Sequence, residues 1–255
     1  MVMSGRLILL ISATLVATAQ PYWRTSGACI TPAGTLCRTL VYERSGLINH
    51  SWGIHAIERY RDQVTEAVSS NGTALLREVH RSFKFYFLPF ESYDRTRIVI
   101  PFETRTLEID RDRQQVREMG GLWRFSEIWT DDPDCAQREA LASGGWRRVG
   151  ERIVAGLPAV EYASETRDHS IVRQIALSRA LGCTAVLYTI SHRSPAGIPI
   201  YEQTLKLLSA NLAEPDPVLF VPPKGFRVVG FDWSWPYIWM DKFPGNIQFL
   251  SGPVL

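Results

Sequence analysis

The chain reads as mainly β, an α+β protein built around one predominantly antiparallel β domain with a minor helix. Three observations predict this. Apolar residues recur at period two in most readable segments, an Asn71-Gly72 pair separates two long candidate strands, and no linker, repeat or low-complexity tract divides the chain. At 255 residues, with 45% hydrophobic and 21% charged, there is enough chain to bury a real core.

The first element is set aside before any fold is considered. In MVMSGRLILLISATLVATA, Arg6 supplies a basic start, Leu7 to Val16 an apolar stretch, and Ala17-Thr18-Ala19 a small-x-small cleavage site. Residues 1–19 are therefore expected to be a cleaved signal peptide, and the protein exported, periplasmic or extracellular. The apolar run is about half of the roughly 20 residues a spanning helix needs, so no integral membrane segment is expected after cleavage. Arg6 would leave with the signal, so the 28 basic and 26 acidic residues of the chain come close to balance. With no Lys/Arg block, that balance argues against nucleic acid and against electrostatic membrane binding.

Residues 20–50 are rich in Gly, Thr, Ser and Pro and read as a loop-dominated lead-in. Residues 51–229 read as the β domain. The stretch 57–68 pairs with 74–83 across Asn71-Gly72, although 57–68 also fits an amphipathic helix. Phe83, Phe85 and Phe87 share a face, TRIVI and TLEID are short β-branched runs carrying Val99, Leu107 and Ile109, and Val186, Tyr188 and Ile190 share another face. The best helix candidate is 132–143, capped by Asp132 with Pro133 at its first position and ended by Gly144-Gly145. In EPDPVLFVPPKGFRVV, Pro215, Pro217, Pro222 and Pro223 bracket Val218 to Val221, which is expected to press on the core as an extended segment. Residues 230–255 form an aromatic-rich tail. Trp233, Trp235, Trp239, Phe231, Tyr237 and Phe243 there carry too much apolar area to leave in water. A strand docked on the core and a ligand or partner surface both fit this composition.

All four cysteines survive cleavage, and an even count in an oxidising compartment favours disulfides, with three pairings open. Cys29 and Cys37 flank the turn-former Pro32-Ala33-Gly34, which makes a local Cys29–Cys37 bridge the first choice. Cys135 would then pair with Cys183 across about 48 residues, worth about 4 kcal/mol in the chain-entropy model. Four buried free thiols are the alternative.

From Gly150 to Arg227 the sequence runs GERIVAGLPAVEY, SRALGCTAVLYTI and EQTLKLLSANLAEPDPVLFVPPKGFRV. This block resembles the C-terminal part of a group of secreted soil-bacterial proteins that share a G-x-x-A-x-E/R strand, a Leu-Gly-Cys strand and a "GEPDPALFxxPxGY" ending. Here Ala213 stands for the Gly, Val218 for the Ala and Phe226 for the closing Tyr. That group is similar in turn to the lipoprotein-carrier (LolA/LolB-like) architecture. The resemblance implies a single curved antiparallel sheet or open half-barrel with one or two helices. It also implies that the EPDPVLFVPP stretch seals a sheet edge, with Glu214 and Asp216 facing water. Likeness of fold carries no activity by itself.

Candidate chemistry is sparse. His50 and His55 are five apart, which matches neither helical nor strand ligand spacing; His80, His169 and His192 stand singly in sequence. Asp131, Asp132 and Asp134 lack the Gly and distant Glu of a calcium loop, and capping suits them better. No catalytic elbow, zinc motif or nucleotide loop is present, so no catalytic residue, metal site or cofactor is assigned. The expected function is an exported, non-enzymatic protein that holds an apolar small molecule or lipid in the hollow of its sheet. An envelope interaction protein using the Trp-rich tail and a secreted hydrolase are the alternatives.

Overall fold

The structure, a computed structural model, describes residues 29–31, 36–50, 56–84, 92–100, 103, 105–120 and 146–230. Among these described residues, twelve strands form one curved sheet. In chain order they are β1 (Arg38–His50), β2 (Ala56–Val68), β3 (Ala74–Lys84), β4 (Ser92–Ile100), β5 (Arg105–Asp110), β6 (Gln115–Gly120), β7 (Trp146–Val154), β8 (Leu157–Glu165), β9 (Ile171–Ser178), β10 (Thr184–Arg193), β11 (Pro199–Asn211) and β12 (Arg227–Val229). In space they run β12-β6-β5-β4-β3-β2-β1-β11-β10-β9-β8-β7. Two antiparallel meanders, β1 to β6 and β7 to β11, therefore meet at a single seam where β1 pairs with β11. The sheet is unclosed, yet it rolls: β7 comes back into contact with β11 although three strands lie between them.

Local chemistry explains the element limits. Asn71 makes the β2–β3 turn by accepting from Thr73 N (2.8 Å) while Gly72 takes φ 84°. The segment 56–68 is thus a strand, and its apolar positions alternate because neighbours point to opposite faces. Ala155-Gly156 turns β7 into β8 with both residues at positive φ, and Gly182-Cys183 does the same after the Arg179–Leu181 3₁₀ turn.

Residues 38–50 depart from the expected lead-in: they are β1, thirteen residues long and central to the sheet. Alternation is present there, with Leu36, Arg38, Leu40, Tyr42 and Arg44 all buried on one side. It is hidden in sequence because Arg38 and Arg44 occupy buried positions that apolar residues normally take. The candidate helix 132–143, the residues Phe85 and Phe87, and the tail from 231 onward lie outside the described residues.

The stretch after β11 also differs from expectation. Pro217–Phe220 is a 3₁₀ turn and not an extended run, because Asp216 caps it by accepting from Val218 N (2.9 Å) with proline at the first position. Val218 and Val221 are exposed, and it is Phe220 and Phe226 that pack on the core. They cover Ala67, Leu75, Ile98, Leu107, Ile109 and Val116, the apolar side of β2 to β6. The chain then adds β12 to β6, the one parallel pairing between these strands. The stretch therefore caps a face first and seals an edge second. Asp216 and Glu214 are exposed, and Glu214 accepts from Ser70 N at 3.0 Å, tying the end of β11 to the β2–β3 turn.

A larger cluster forms the main core. It centres on Leu40, Tyr42, Val186, Tyr188, Ile190, Leu205 and Leu207 and reaches Leu181 at the 3₁₀ turn.

Candidate functional site

Antiparallel pairing places directly opposite residues on the same face, so the register reads out one continuous surface. Three adjacent rows cross it. One runs Ile175, Tyr188, Leu205, Arg44, Asp62, His80, Tyr93; the next Arg173, Ile190, Gln203, Gly46, Tyr60; the third Ile171, His192, Tyr201, Ile48, Glu58. This tyrosine face is apolar on the β9 to β11 side and charged on the β2 to β5 side.

The charged side is a buried ladder. Arg44 Nε donates to Asp62 Oδ2 (2.6 Å), and Arg44 Nη1 lies 3.2 Å from Glu78 Oε1. His80 Nδ1 is 2.6 Å from Asp62 Oδ1, and Arg38 donates to Glu66 Oε1 at 3.2 Å. Further across, Glu78, Arg95 and Asp110 alternate in sign at directly opposite positions, as do Arg97, Glu108 and Arg117. Desolvation works against the charge of Arg44, but the Glu78 and Asp62 carboxylates overcome it and hold its pKa above the usual value. Each buried ion is costly to desolvate, so opposite charges must be supplied close by: those of Arg38 and Arg44 are within 3.2 Å, while Arg97 stands 3.6 Å from Glu108 and Arg95 3.8 Å from Asp110.

His80 and Asp62 make the one His–carboxylate pair in this ladder, yet the geometry does not suit hydrolysis. His80 is 6% exposed, its ring stacks on Tyr93 at 4.7 Å, and Tyr60 lies on it at 6.0 Å.

Where the two sides meet, three polar side chains converge. Tyr60 and Tyr201 both donate to Gln203 Oε1, the first at 3.3 Å. Tyr60 gets there from β2 by passing over β1 at Gly46, where a Cβ would stand 2.5 Å from the phenol oxygen and against the Glu202 carbonyl. Burial raises the pKa of Tyr60 and of Tyr201.

On the β9–β10 side the polar groups are not satisfied. Tyr188 is 2% exposed, and its hydroxyl has no hydrogen-bond partner among the described residues. Burial pushes its pKa up to about 12, against a lowering by Arg173. Arg173 stands diagonally from Tyr188 on the same face; its Nε is buried without a hydrogen-bond partner, and it makes no ion pair among the described residues. A buried hydroxyl left unpaired costs about 1–3 kcal/mol. Half-buried Ile171, Ile175, Arg173 and Tyr201 surround the buried floor of Tyr188, Ile190, Leu205 and Gln203. An apolar floor with a few unsatisfied donors is the usual make-up of a small-molecule site.

Other candidates hold less. A groove of about 350 Å³ beside β7 is lined by Arg148, Glu151, Ala159, Val160, Leu177 and Arg179, with Arg148 and Glu151 paired to each other at 2.5 Å. Cys29, Cys37 and Glu214 lie close enough to suggest a metal site. However, the two sulfurs are bonded to each other, and a disulfide offers no thiolate. Cys183 is disulfide-bonded too; Cys135, its expected partner, lies outside the described residues. His169 is exposed and pairs with Glu165 at 2.8 Å, and His192 extends the Tyr188–Ile190 face. His55 and Asp131, Asp132 and Asp134 are outside the described residues, as is the side chain of His50.

Tyr188 and Ile190 were named by periodicity, whereas Arg173, Gln203, Tyr201, Tyr60 and Gly46 were not. One signal was there to read. In 171-IVRQIALS-178 the period-two face is Ile171, Arg173, Ile175, Leu177, so one cation interrupts an apolar stripe.

No protein-family model and no curated protein matches the chain. Among solved structures it is similar to a chain of the Pseudomonas aeruginosa MucA/MucB complex, at 18% identity and TM-score 0.39, over 75% of this chain and 58% of that one. It is similar to LprF from Mycobacterium bovis at 9% identity and TM-score 0.35, over 71% and 90%. Against a putative outer membrane lipoprotein-sorting protein domain from Vibrio parahaemolyticus the values are 9% and 0.19, over 69% and 85%. Likenesses of this degree assign neither ligand nor activity.

Proposed function

We propose that this protein is exported, with a mature chain beginning at Gln20, and serves as a non-catalytic binding protein for an amphipathic, lipid-like ligand. The ligand would lie on the tyrosine face of β9 to β11. One observation carries this: half-buried Ile171, Ile175 and Tyr201 lead onto an apolar floor of Ile190 and Leu205 in which the Tyr188 hydroxyl has no partner among the described residues. The apolar area supplies affinity at about 25 cal/mol per Å² removed from water, and the few polar groups fix orientation. Among the described residues no helix is long and apolar enough to cross a membrane. The Trp-rich tail, on which an interaction role would rest, lies outside the described residues.

Uptake of the uncharged fluorescent probe Nile red by the oxidised full chain tests the proposal. Saturable uptake, near one probe per chain and displaced by laurate, is the expected result. Uptake that is absent, or that never saturates while the protein stays folded, removes this function.

A further inference from the structure

Resting on that binding role, we infer that the ligand's polar end is an anionic oxygen head, a carboxylate or a phosphate, read by Arg173, Tyr188 and Gln203. The donor inventory leads there. Arg173 can only donate and carries a permanent charge, and no ion pair neutralises it among the described residues. The described side chains around it on the tyrosine face are Tyr162, Ser164, Ile171, Ile175, Tyr188, Ile190 and His192, and none is a carboxylate. The Tyr188 hydroxyl, diagonal to it, has a hydrogen to give and no described residue that takes it.

Gln203 completes the set. Its Oε1 accepts from both Tyr60 and Tyr201, which leaves the amide Nε2 as the outward donor. A cation and two neutral groups with a hydrogen to give thus share one patch, with no carboxylate among the described residues around them. A neutral alcohol brings one oxygen and no charge to match Arg173, and a cationic head would meet Arg173 with like charge. An anionic oxygen group accepts from all three. Arg173 is half-buried on a long stem, so its guanidinium can turn to meet a head seated beside Tyr188. The contrast with the ladder on the other half of the sheet is direct. There every buried arginine named above faces a carboxylate, whereas here the carboxylate is missing and a ligand would bring it.

Competition against Nile red with four twelve-carbon amphiphiles tests this: laurate, dodecyl phosphate, dodecanol and dodecyltrimethylammonium. The anionic pair should displace the probe at about tenfold lower concentration, or less, than the neutral and cationic chains. The better of laurate and dodecyl phosphate tells a carboxylate head from a phosphate one. Arg173→Gln should weaken the anionic competitors about 10- to 100-fold relative to dodecanol on the same variant, with Arg173→Lys recovering part of that selectivity. Tyr188→Phe should fold at least as well as the parent, since it removes an unpartnered hydroxyl, while weakening the anionic chains several-fold. If Nile red binds but head charge makes no difference, or if Arg173→Gln weakens all competitors alike, the anionic head is overturned and the binding role stands. If Nile red does not bind, both fall.

Discussion

Gly46 shows how much can depend on one missing side chain. A Cβ there would meet the Tyr60 ring at 2.5–2.6 Å and press on the backbone carbonyl of Glu202 in β11, which cannot move without breaking the β1–β11 ladder. Gly46→Ala should therefore destabilise the protein by about 1–3 kcal/mol, the usual cost of overpacking. Urea unfolding would show the loss as a lower midpoint. Adding Tyr60→Phe should restore little of it, because the backbone contact remains. The glycine carries no advance notice of this role, since its φ is unremarkable and the clash is with Tyr60 and Glu202 on two other strands. Arg173 was more legible, as the one cation in an Ile171–Ile175 stripe. Its meaning still required the register, which shows that no carboxylate stands opposite.

At the scale of elements, β1 and β2 illustrate why a sheet can be visible in sequence while its central strand is not. The β2–β3 hairpin, β4, β5 and β10 were marked by Asn71-Gly72 or by β-branched alternation, and all are strands. In β1 the alternation is carried partly by Arg38 and Arg44, which composition alone assigns to surface. Only cross-strand carboxylates make such positions tenable, and those come from β2 and β3. The pair Arg38–Glu66, almost wholly buried, is the cleanest case. Glu66→Leu alone should cost about 3–5 kcal/mol by removing one half of a buried ion pair. The double change Arg38→Met with Glu66→Leu should recover most of that, so a double-mutant cycle in urea should give a large positive coupling. Additive losses would mean that the two charges are stabilised independently.

For the whole molecule, the tyrosines set an alkaline limit. Burial first of all raises the phenol pKa of Tyr42, Tyr60, Tyr93, Tyr188 and Tyr201. The folded chain then keeps protons that an unfolded chain releases near pH 10. Their contribution to stability is intact below about pH 10 and is lost as pH rises, in the case of Tyr188 through about 12. Urea midpoints should fall steeply above about pH 10, and phenolate absorbance from these groups should rise only together with unfolding. A phenolate signal that climbs while the sheet stays intact would contradict their burial. The seam between the two meanders bears on how the chain is made. Each meander pairs neighbours in sequence, but β1 must wait for β11, which is delivered about 150 residues later in synthesis. Until Pro199–Asn211 arrives, Arg38–His50 is an open edge of thirteen residues, long enough to recruit a strand from another nascent copy. The buried arginines of β1 bear on that interval as well. A wrong partner offers them no matching acids, so the charges that burden the finished core also discourage mispairing while the true neighbour is still on its way.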